Sequence, residues 1–484
     1  MMVPALPARR RPAPPAVCVD AQLRRHIDMR AVAALALPLV LSSTMQAILN
    51  LTDTWFIGRL STTATAAVAA VHWLALLALI LIGGVAMSVQ TIVAQAFGAG
   101  RYRRASQAVW NGLWASLLTI PAFAGVIVLA PRFLGLFGLP GDVEALALDY
   151  WGPRMIGGPL AAALWAAISY FNGVGRTRTP FAVGLIVTVA NVILNEILIF
   201  RLGFGIAGAA WATTLAELLG VALAIALILR LEPRRFRPGL TWRPRLDRIR
   251  ALVALGLPMA MTASVDLAAA ALFQLMQVRV GIVDGAATQI VMVFTSLAYM
   301  PGIGIALAGT TLVGQAIGAG DRDWAERLGN RIITVVACFM GGLGIFMALV
   351  GPSLVPWFVN DADPHAAEVI ALCTTLLWIA AAYQFFDGIN FASAFCLRGA
   401  GDVRVPAVLV FALAAMLFLP LTHWLTFAPG SGWIAGAPGL GLGAVGGWTA
   451  LLVYVLATAA ALGLRWRHGA WRAIRLGGVG GAGS

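Results

Sequence analysis

The chain has 484 residues, 60% of them hydrophobic and only 11% charged, and a mean hydropathy of +0.88. A soluble domain carries about 25% charged and about 45–50% apolar residues, so a soluble globular protein is excluded and a polytopic membrane protein is indicated. The net charge of +13 is carried by arginine alone, since the sequence contains no lysine; arginines of this kind mark topology and do not point to nucleic acid.

Residues 1–30 open with the Pro- and Arg-rich "PARRRPAPPA". They lack an apolar core followed by a small-residue cleavage site, so they read as a cytosolic tail and not as a signal peptide. Apolar stretches then recur at the length of roughly 20 residues needed to cross about 30 Å of hydrocarbon. Twelve spans are predicted, near 31–57, 65–91, 105–130, 148–171, 180–200, 205–229, 250–277, 285–311, 328–350, 366–396, 404–427 and 440–464. The first six form an N-lobe (31–229) and the last six a C-lobe (251–464). The Arg- and Pro-rich segment 230–250 links them, and 465–484 form a C-terminal tail.

The arginines divide the connections into two classes. The N-terminal tail, the loops "GAGRYRRAS", "GVGRTRTP", "LRLEPRRFRPGLTWRPRLDRIR", "GAGDRDWAERLGNR" and "LRGAGDVRVP", and the C-terminal "RWRHGAWRAIR" hold 28 of the 33. The remaining connections hold Arg59, Arg132, Arg154, Arg201 and Arg279. The two classes alternate along the chain. Arginine-rich loops stay in the cytoplasm, so both termini are expected inside, in a bacterial-type inner membrane.

The chain also repeats itself. "VAQAFGAG" (93–100) and "VGQAIGAG" (313–320) agree at six of eight positions, 220 residues apart; "AALALP" ending at Pro38 and "VALGLP" ending at Pro258 share that offset. "GRTRTP" ending at Pro180 and "GDVRVP" ending at Pro406 lie 226 apart. Each repeat holds an even number of spans, so both halves have the same orientation. They should be related by a pseudo-two-fold axis along the membrane normal, with a binding region between them.

Charged side chains at mid-membrane cost roughly 2.5–3.5 kcal/mol on insertion scales and persist where they face a cavity or a partner. Five acids qualify: Asp53, Glu196, Glu217, Asp266 and Asp387. Gln46, Asn50 and Asp53 fall on one face of span 1. Asn191 and Asn195 form a stripe on span 5, Thr213 and Glu217 lie on span 6, and Tyr383 and Asp387 on span 10. Facing lipid, these groups would be unsatisfied, so the polar faces should point inward. A bland reading stands beside each. Asp53 is about one turn from Gly58–Arg59 and could sit at the interface. Glu196 lies at the end of span 5. Glu217, the asparagines and the threonines serve equally well as interhelical glue. Leaving water disfavours the charged form of a carboxylate. Such a group can exchange a proton or remain ionised beside Na⁺, and either makes it a coupling site.

Other signals carry no catalysis. "FVNDADPHAAE" has two aspartates, but it reads as a helix start with Asp363 as N-cap and Pro364 at N1. Cys18, Cys338, Cys373 and Cys396 have no metal-binding spacing, and three of them lie in apolar spans as small buried residues. No enzyme, metal site or cofactor is expected.

The segments "LPLVLSSTMQAILNLTDTWFIGRL", "VAQAFGAG", "NGVGRTRTP", "NVILNEILIF…GIAGAAWAT", "GLPMAMTASVD" and "YQFFDGINFASAFCLRGAGD" resemble the multidrug and toxic compound extrusion (MATE) family. The resemblance covers about residues 30 to 464 and rests on the order, spacing and duplication of the motifs. It implies an all-α fold of twelve transmembrane helices in two six-helix lobes, and export driven by H⁺ or Na⁺. By resemblance, Asp53 matches the first-helix acid of the N-lobe, and Asn191, Asn195 and Thr213 its polar partners. Asp266 and Tyr383–Asp387 match a cation site of the C-lobe, with Na⁺ possible at the two aspartates. Some relatives carry Asp where this chain has Asn195, and Glu where it has Asp266. The expected function is a secondary antiporter for amphipathic, often cationic compounds, acting as a monomer in the bilayer without nucleic-acid partners. The alternative in the same superfamily is a flippase of a lipid-linked precursor. That role calls for a cationic groove, whereas the charges in the spans are acidic. A major-facilitator transporter would carry a "GxxxDRxGRR"-type loop after span 2, where this chain has "GAGRYRRAS".

Overall fold

The computed structural model describes residues 13–476, apart from 23, 136–139, 232–235, 360–363, 435 and 437. Twelve helical spans follow one another. The N-lobe holds span 1 (Met29–Gly58), span 2 (Thr62–Gly83, a 3₁₀ turn Gly84–Met87, then Ser88–Gly98) and span 3 (Tyr102–Leu117 with Ile120–Gly135). It continues with span 4 (Gly141–Ile156 with Gly158–Val174), span 5 (Arg178–Asn195 with a π turn Glu196–Arg201) and span 6 (Gly205–Leu231). In the C-lobe, spans 7 to 10 are Leu246–Val280, Ile282–Ala319, Arg322–Leu354 and Ala366–Ala400. Span 11 (Arg404–Leu413, π turn Ala414–Phe418, Leu419–Thr426) and span 12 (Gly443–His468) complete it.

Eleven of the spans are apolar helices long enough to cross a membrane. Span 4 is broken into pieces of 16 and 17 residues. The break falls where Pro159 has no N–H to return to the Met155 carbonyl, and the glycines before it are packed closely. A Cβ on Gly157 would lie 2.4 Å from Thr214 Oγ1 of span 6, and one on Gly158 2.4 Å from the Phe123 ring of span 3. Only glycine admits both neighbours there. Large apolar side chains such as Val128, Leu349 and Met416 remain exposed on the outer surface, as a lipid-facing band requires.

The sequence repeat appears as reciprocal contact between the lobes at the arginine-rich end. Gln95 Nε2 of span 2 donates to the Gly399 carbonyl of span 10 at 2.9 Å; Gln315 Nε2 of span 8 donates to the Gly173 carbonyl of span 4 at 2.9 Å. Thr91 Oγ1 donates to the Arg398 carbonyl and Thr311 Oγ1 to the Asn172 carbonyl, each at 2.9 Å. A Cβ on Gly98 would meet Gln315 O at 2.0 Å, and one on Gly318 would meet Gln95 O at 2.1 Å. Span 1 joins the seam where Ser43 Oγ donates to Met300 O at 2.8 Å. Farther along, its Asp53 binds spans 5 and 6 instead.

The structure adds to or corrects several sequence expectations, and one falls outside the described residues. The N-terminal tail contains an antiparallel hairpin, Val17–Val19 with Arg25–Ile27, that docks on the C-lobe: Trp324 Nε1 donates to Pro15 O at 2.9 Å, and Arg25 pairs with Asp321 at 2.5 Å. Span 10 begins at Ala366 after His365, and the N-cap expected at Asp363 lies outside the described residues. Arg154, assigned to a connection, sits inside span 4. Of the cysteines in spans, Cys338 is exposed while Cys373 and Cys396 are buried.

Candidate functional site

The N-lobe site is built where spans 1, 5 and 6 meet. Asn195 Nδ2 donates to Asp53 Oδ1 at 2.7 Å, and Thr213 Oγ1 to Asp53 Oδ2 at 3.3 Å. Asn195 Nδ2 also donates to Asn191 Oδ1 at 3.0 Å, and Asn191 Nδ2 to Thr213 Oγ1 at 3.3 Å. Asn191 and Asn195 share a face because they are one helical turn apart, and both are fully buried. Thr213 has a single proton but lies within reach of two acceptors, Asp53 Oδ2 and the Ala209 carbonyl at 3.1 Å. A protonated Asp53 can donate to Thr213 Oγ1, whose own proton then returns to Ala209. The heavy-atom frame therefore suits both protonation states of the acid.

Glu217, one turn below Thr213, is held by Arg154 at 3.3 Å, with both side chains largely buried at 12% and 15% exposure. Removing one member of such a pair leaves an uncompensated buried charge, at a cost of about 3–5 kcal/mol. Asp53 and the Tyr150 phenol also lie near Arg154. Sequence reasoning missed this arginine as a site residue. The available signal was its neighbourhood, Pro153 and Gly157–Gly158–Pro159, which interrupts an apolar span and turns a polar group inward.

The remaining N-lobe candidates stand apart. Gln46 Nε2 reaches Asn50 Oδ1 at 3.5 Å, and both residues are exposed. Glu196 is exposed and, among the described residues, takes no part in the hydrogen bonds around Asp53. The structure thus brings together Asp53, Asn191, Asn195 and Thr213, sets Glu217 beside them with Arg154, and leaves Glu196 outside the group.

In the C-lobe, Asp387 is 2% exposed. Asn390 Nδ2 donates to its Oδ1 at 3.3 Å and the Tyr383 hydroxyl lies beside the carboxylate, while no donor stands within hydrogen-bonding distance of Oδ2. One turn earlier, Gln384 donates to the Thr295 carbonyl at 2.9 Å and leaves its Oε1 without a partner. Tyr383, Tyr299 and Asp266 surround Asp387, and Asp266 lies half-buried near Tyr454 and Arg398. A buried carboxylate oxygen without a donor is costly, so the geometry suits a bound proton or a small cation supplied from outside the chain.

Comparison with known proteins identifies the fold and the family. The MatE family model matches residues 38–197 and 258–424, one segment in each lobe. The chain is 32% identical over 454 residues to a probable multidrug resistance protein NorM of Rhizobium meliloti (strain 1021), covering 90% of this chain and 92% of that one. Identity is also 32% over 460 residues with the protein of the same name from Burkholderia pseudomallei (strain K96243), covering 90% and 91%. Among solved structures, a MATE protein in complex with MaD3S superposes with a TM-score of 0.79 at 18% identity, over 92% of this chain and 96% of that one. The outward-facing conformation of a multidrug resistance MATE family transporter gives a TM-score of 0.76 over the same shares at 18% identity. With its all-α fold of two six-helix lobes and a family match in each, the chain belongs to the MatE family of multi-pass membrane transporters.

Proposed function

We propose that this protein exports amphipathic, often cationic drugs or toxic metabolites from the cell in exchange for H⁺ or Na⁺, by alternating access between the lobes. It acts as a monomer in a bacterial inner membrane with both termini in the cytoplasm. The observation that carries the reading is the pair of acid sites, one per lobe. Asp53 sits in a hydrogen-bond frame that serves either protonation state, and Asp387 is a buried carboxylate beside Tyr383 with one oxygen that no donor reaches within hydrogen-bonding distance. Names of the NorM relatives support drugs as the substrate class. Flipping of a lipid-linked pyrophosphate is disfavoured, because the buried Arg154 is already committed to Glu217.

Asp53→Asn, Asp266→Asn and Asp387→Asn keep side-chain shape but remove the exchangeable charge. In proteoliposomes with pH and Na⁺ gradients imposed separately, gradient-driven efflux of a cationic dye should collapse in at least one variant while folded yield persists. The lobe whose change abolishes transport carries the coupling, and its ion is the one whose gradient no longer drives export. Near-wild-type rates in all three would sink the proposal.

A further inference from the structure

We propose that, within the alternating access on which this inference rests, the N-terminal hairpin is a clasp: docked on the C-lobe, it holds the arginine-rich end closed, and it must leave span 9 before that end opens. Val17–Val19 and Arg25–Ile27 pair with Val17 opposite Ile27. The Asp20 carboxylate closes the turn by accepting from the Gln22 and Arg24 amides at 2.9 and 2.8 Å. A two-stranded hairpin is marginal by itself in water. This one is completed by the C-lobe, where Ala16, Val17 and Ile27 pack against the core that holds Trp324 and Leu328.

Two polar contacts fix the docked position. The Trp324 indole donates to Pro15 O at 2.9 Å, and Arg25 pairs with Asp321 at 2.5 Å, with the two side chains 51% and 23% exposed. Water reaches this pair, so it is weak enough to break and re-form. No slack lies between hairpin and helix. The Asp28 amide donates to Ala16 O at 2.9 Å, while its carboxylate caps span 1 by accepting from the Arg30 and Ala31 amides at 2.9 and 3.2 Å. The hairpin and the start of span 1 are thus one unit.

Span 1 then crosses from one lobe to the other. Val32 belongs to the same C-lobe core as Trp324, and a Cβ on Gly304 of span 8 would stand 2.5 Å from Val40 Cα. Farther along, Leu49 packs in the N-lobe with Leu113 and Val187, and Asp53 is held by Asn195 and Thr213. At a rise of about 1.5 Å per residue, Asp28 stands roughly 38 Å along the helix from Asp53. A tilt of about 10° with the N-lobe swings that end by roughly 6 Å, well beyond the reach of a hydrogen bond. When the lobes part at the arginine-rich end, a helix held at Asp53 therefore pulls Pro15 and Arg25 off span 9. Conversely, a docked hairpin opposes the parting.

The test uses the full chain in proteoliposomes, with Cys18 and Cys338 changed to serine. Spin labels at positions 178 and 404, the exposed first residues of spans 5 and 11 at the arginine-rich end, report opening by double electron–electron resonance. Asp321→Asn removes the ion pair but keeps the helix cap on the Trp324 amide, now at 2.9 Å, since asparagine caps as well as aspartate. Trp324→Phe keeps the ring packing and removes the bond to Pro15. Together they should raise the open population about tenfold, the order expected when a hydrogen bond and a half-exposed ion pair are lost. In the opposite direction, Arg25→Cys with Asp321→Cys, without spin labels and joined by a cleavable bismaleimide, should stop efflux of a cationic dye until the linker is cut. Efflux at the wild-type rate through the joined protein would overturn the clasp. An open population unchanged in Asp321→Asn with Trp324→Phe would overturn it too, and either result leaves alternating access standing. A wild type with a single short distance at every pH and with dye bound would refute alternating access itself, and the clasp with it.

Discussion

Alanine at Gly98 is the sharpest probe of the seam between the lobes. The new Cβ would stand 2.0 Å from Gln315 O, whereas such contacts essentially never fall below 3.0 Å. Both partners are helix backbone, so no side-chain rotation relieves the overlap. Spans 2 and 8 must separate by at least about 1 Å, a shift that also stretches the Gln90 Nε2–Thr311 Oγ1 bond from 3.0 Å beyond hydrogen-bonding range. Overpacking of this kind costs about 1–3 kcal/mol, and the lost bond about 1 kcal/mol. At roughly 2 kcal/mol, the lower end, the balance between closed and open forms of the arginine-rich end moves about 30-fold. Spin labels at positions 103 and 327, with the exposed Cys18 and Cys338 changed to serine, would report it as a longer distance component by double electron–electron resonance. Gly318→Ala, which meets Gln95 O at 2.1 Å, should behave alike, and Gly184→Ala, with nothing within 4 Å, should not. A Gly98→Ala distribution superimposable on wild type, at wild-type stability, would refute the reasoning.

Other expectations follow from the same contacts. Arg154→Met should lower stability by about 3–5 kcal/mol by stranding Glu217, and adding Glu217→Gln should recover part of it; thermal unfolding in detergent reads both, and equal melting of Arg154→Met and wild type would remove the pair from the account. At Asp321, burial opposes ionisation, but the Trp324 amide, Arg25 and Arg327 outweigh it and hold the carboxyl below its ordinary value. Its contribution to docking the hairpin is therefore complete above the ordinary carboxylate range and is lost as pH falls below it. Corrected for the intrinsic pH dependence of amide exchange, the protection of residues 17–27 should be high and constant from pH 7 to 5 and should fall in Asp321→Asn; weak protection in wild type at pH 7 would contradict the docking.

Composition alone determined that this chain lives in a membrane, because a backbone in hydrocarbon must close its own hydrogen bonds and so forms apolar helices of bilayer length. The 220-residue offset between "VAQAFGAG" and "VGQAIGAG" likewise exposed two lobes of equal orientation, since duplication is written along the chain. Helical spacing put Asn191 and Asn195 on one face, and Gln46, Asn50 and Asp53 on another. What spacing could not decide was which faces meet. Asp53 finds Asn195 and Thr213 from 142 and 160 residues away, and only packing of spans 1, 5 and 6 brings them within reach. Glu196 follows Asn195 directly, yet one residue turns a helix by about 100°, and that rotation carries the carboxylate outside the group. Arg154 looked like a connection residue until the break at Gly157 placed it beside Glu217. The end at which the lobes close was also a tertiary matter: it depends on glycines 98 and 318 lying against carbonyls of the opposite repeat, a contact between surfaces that no single helix contains.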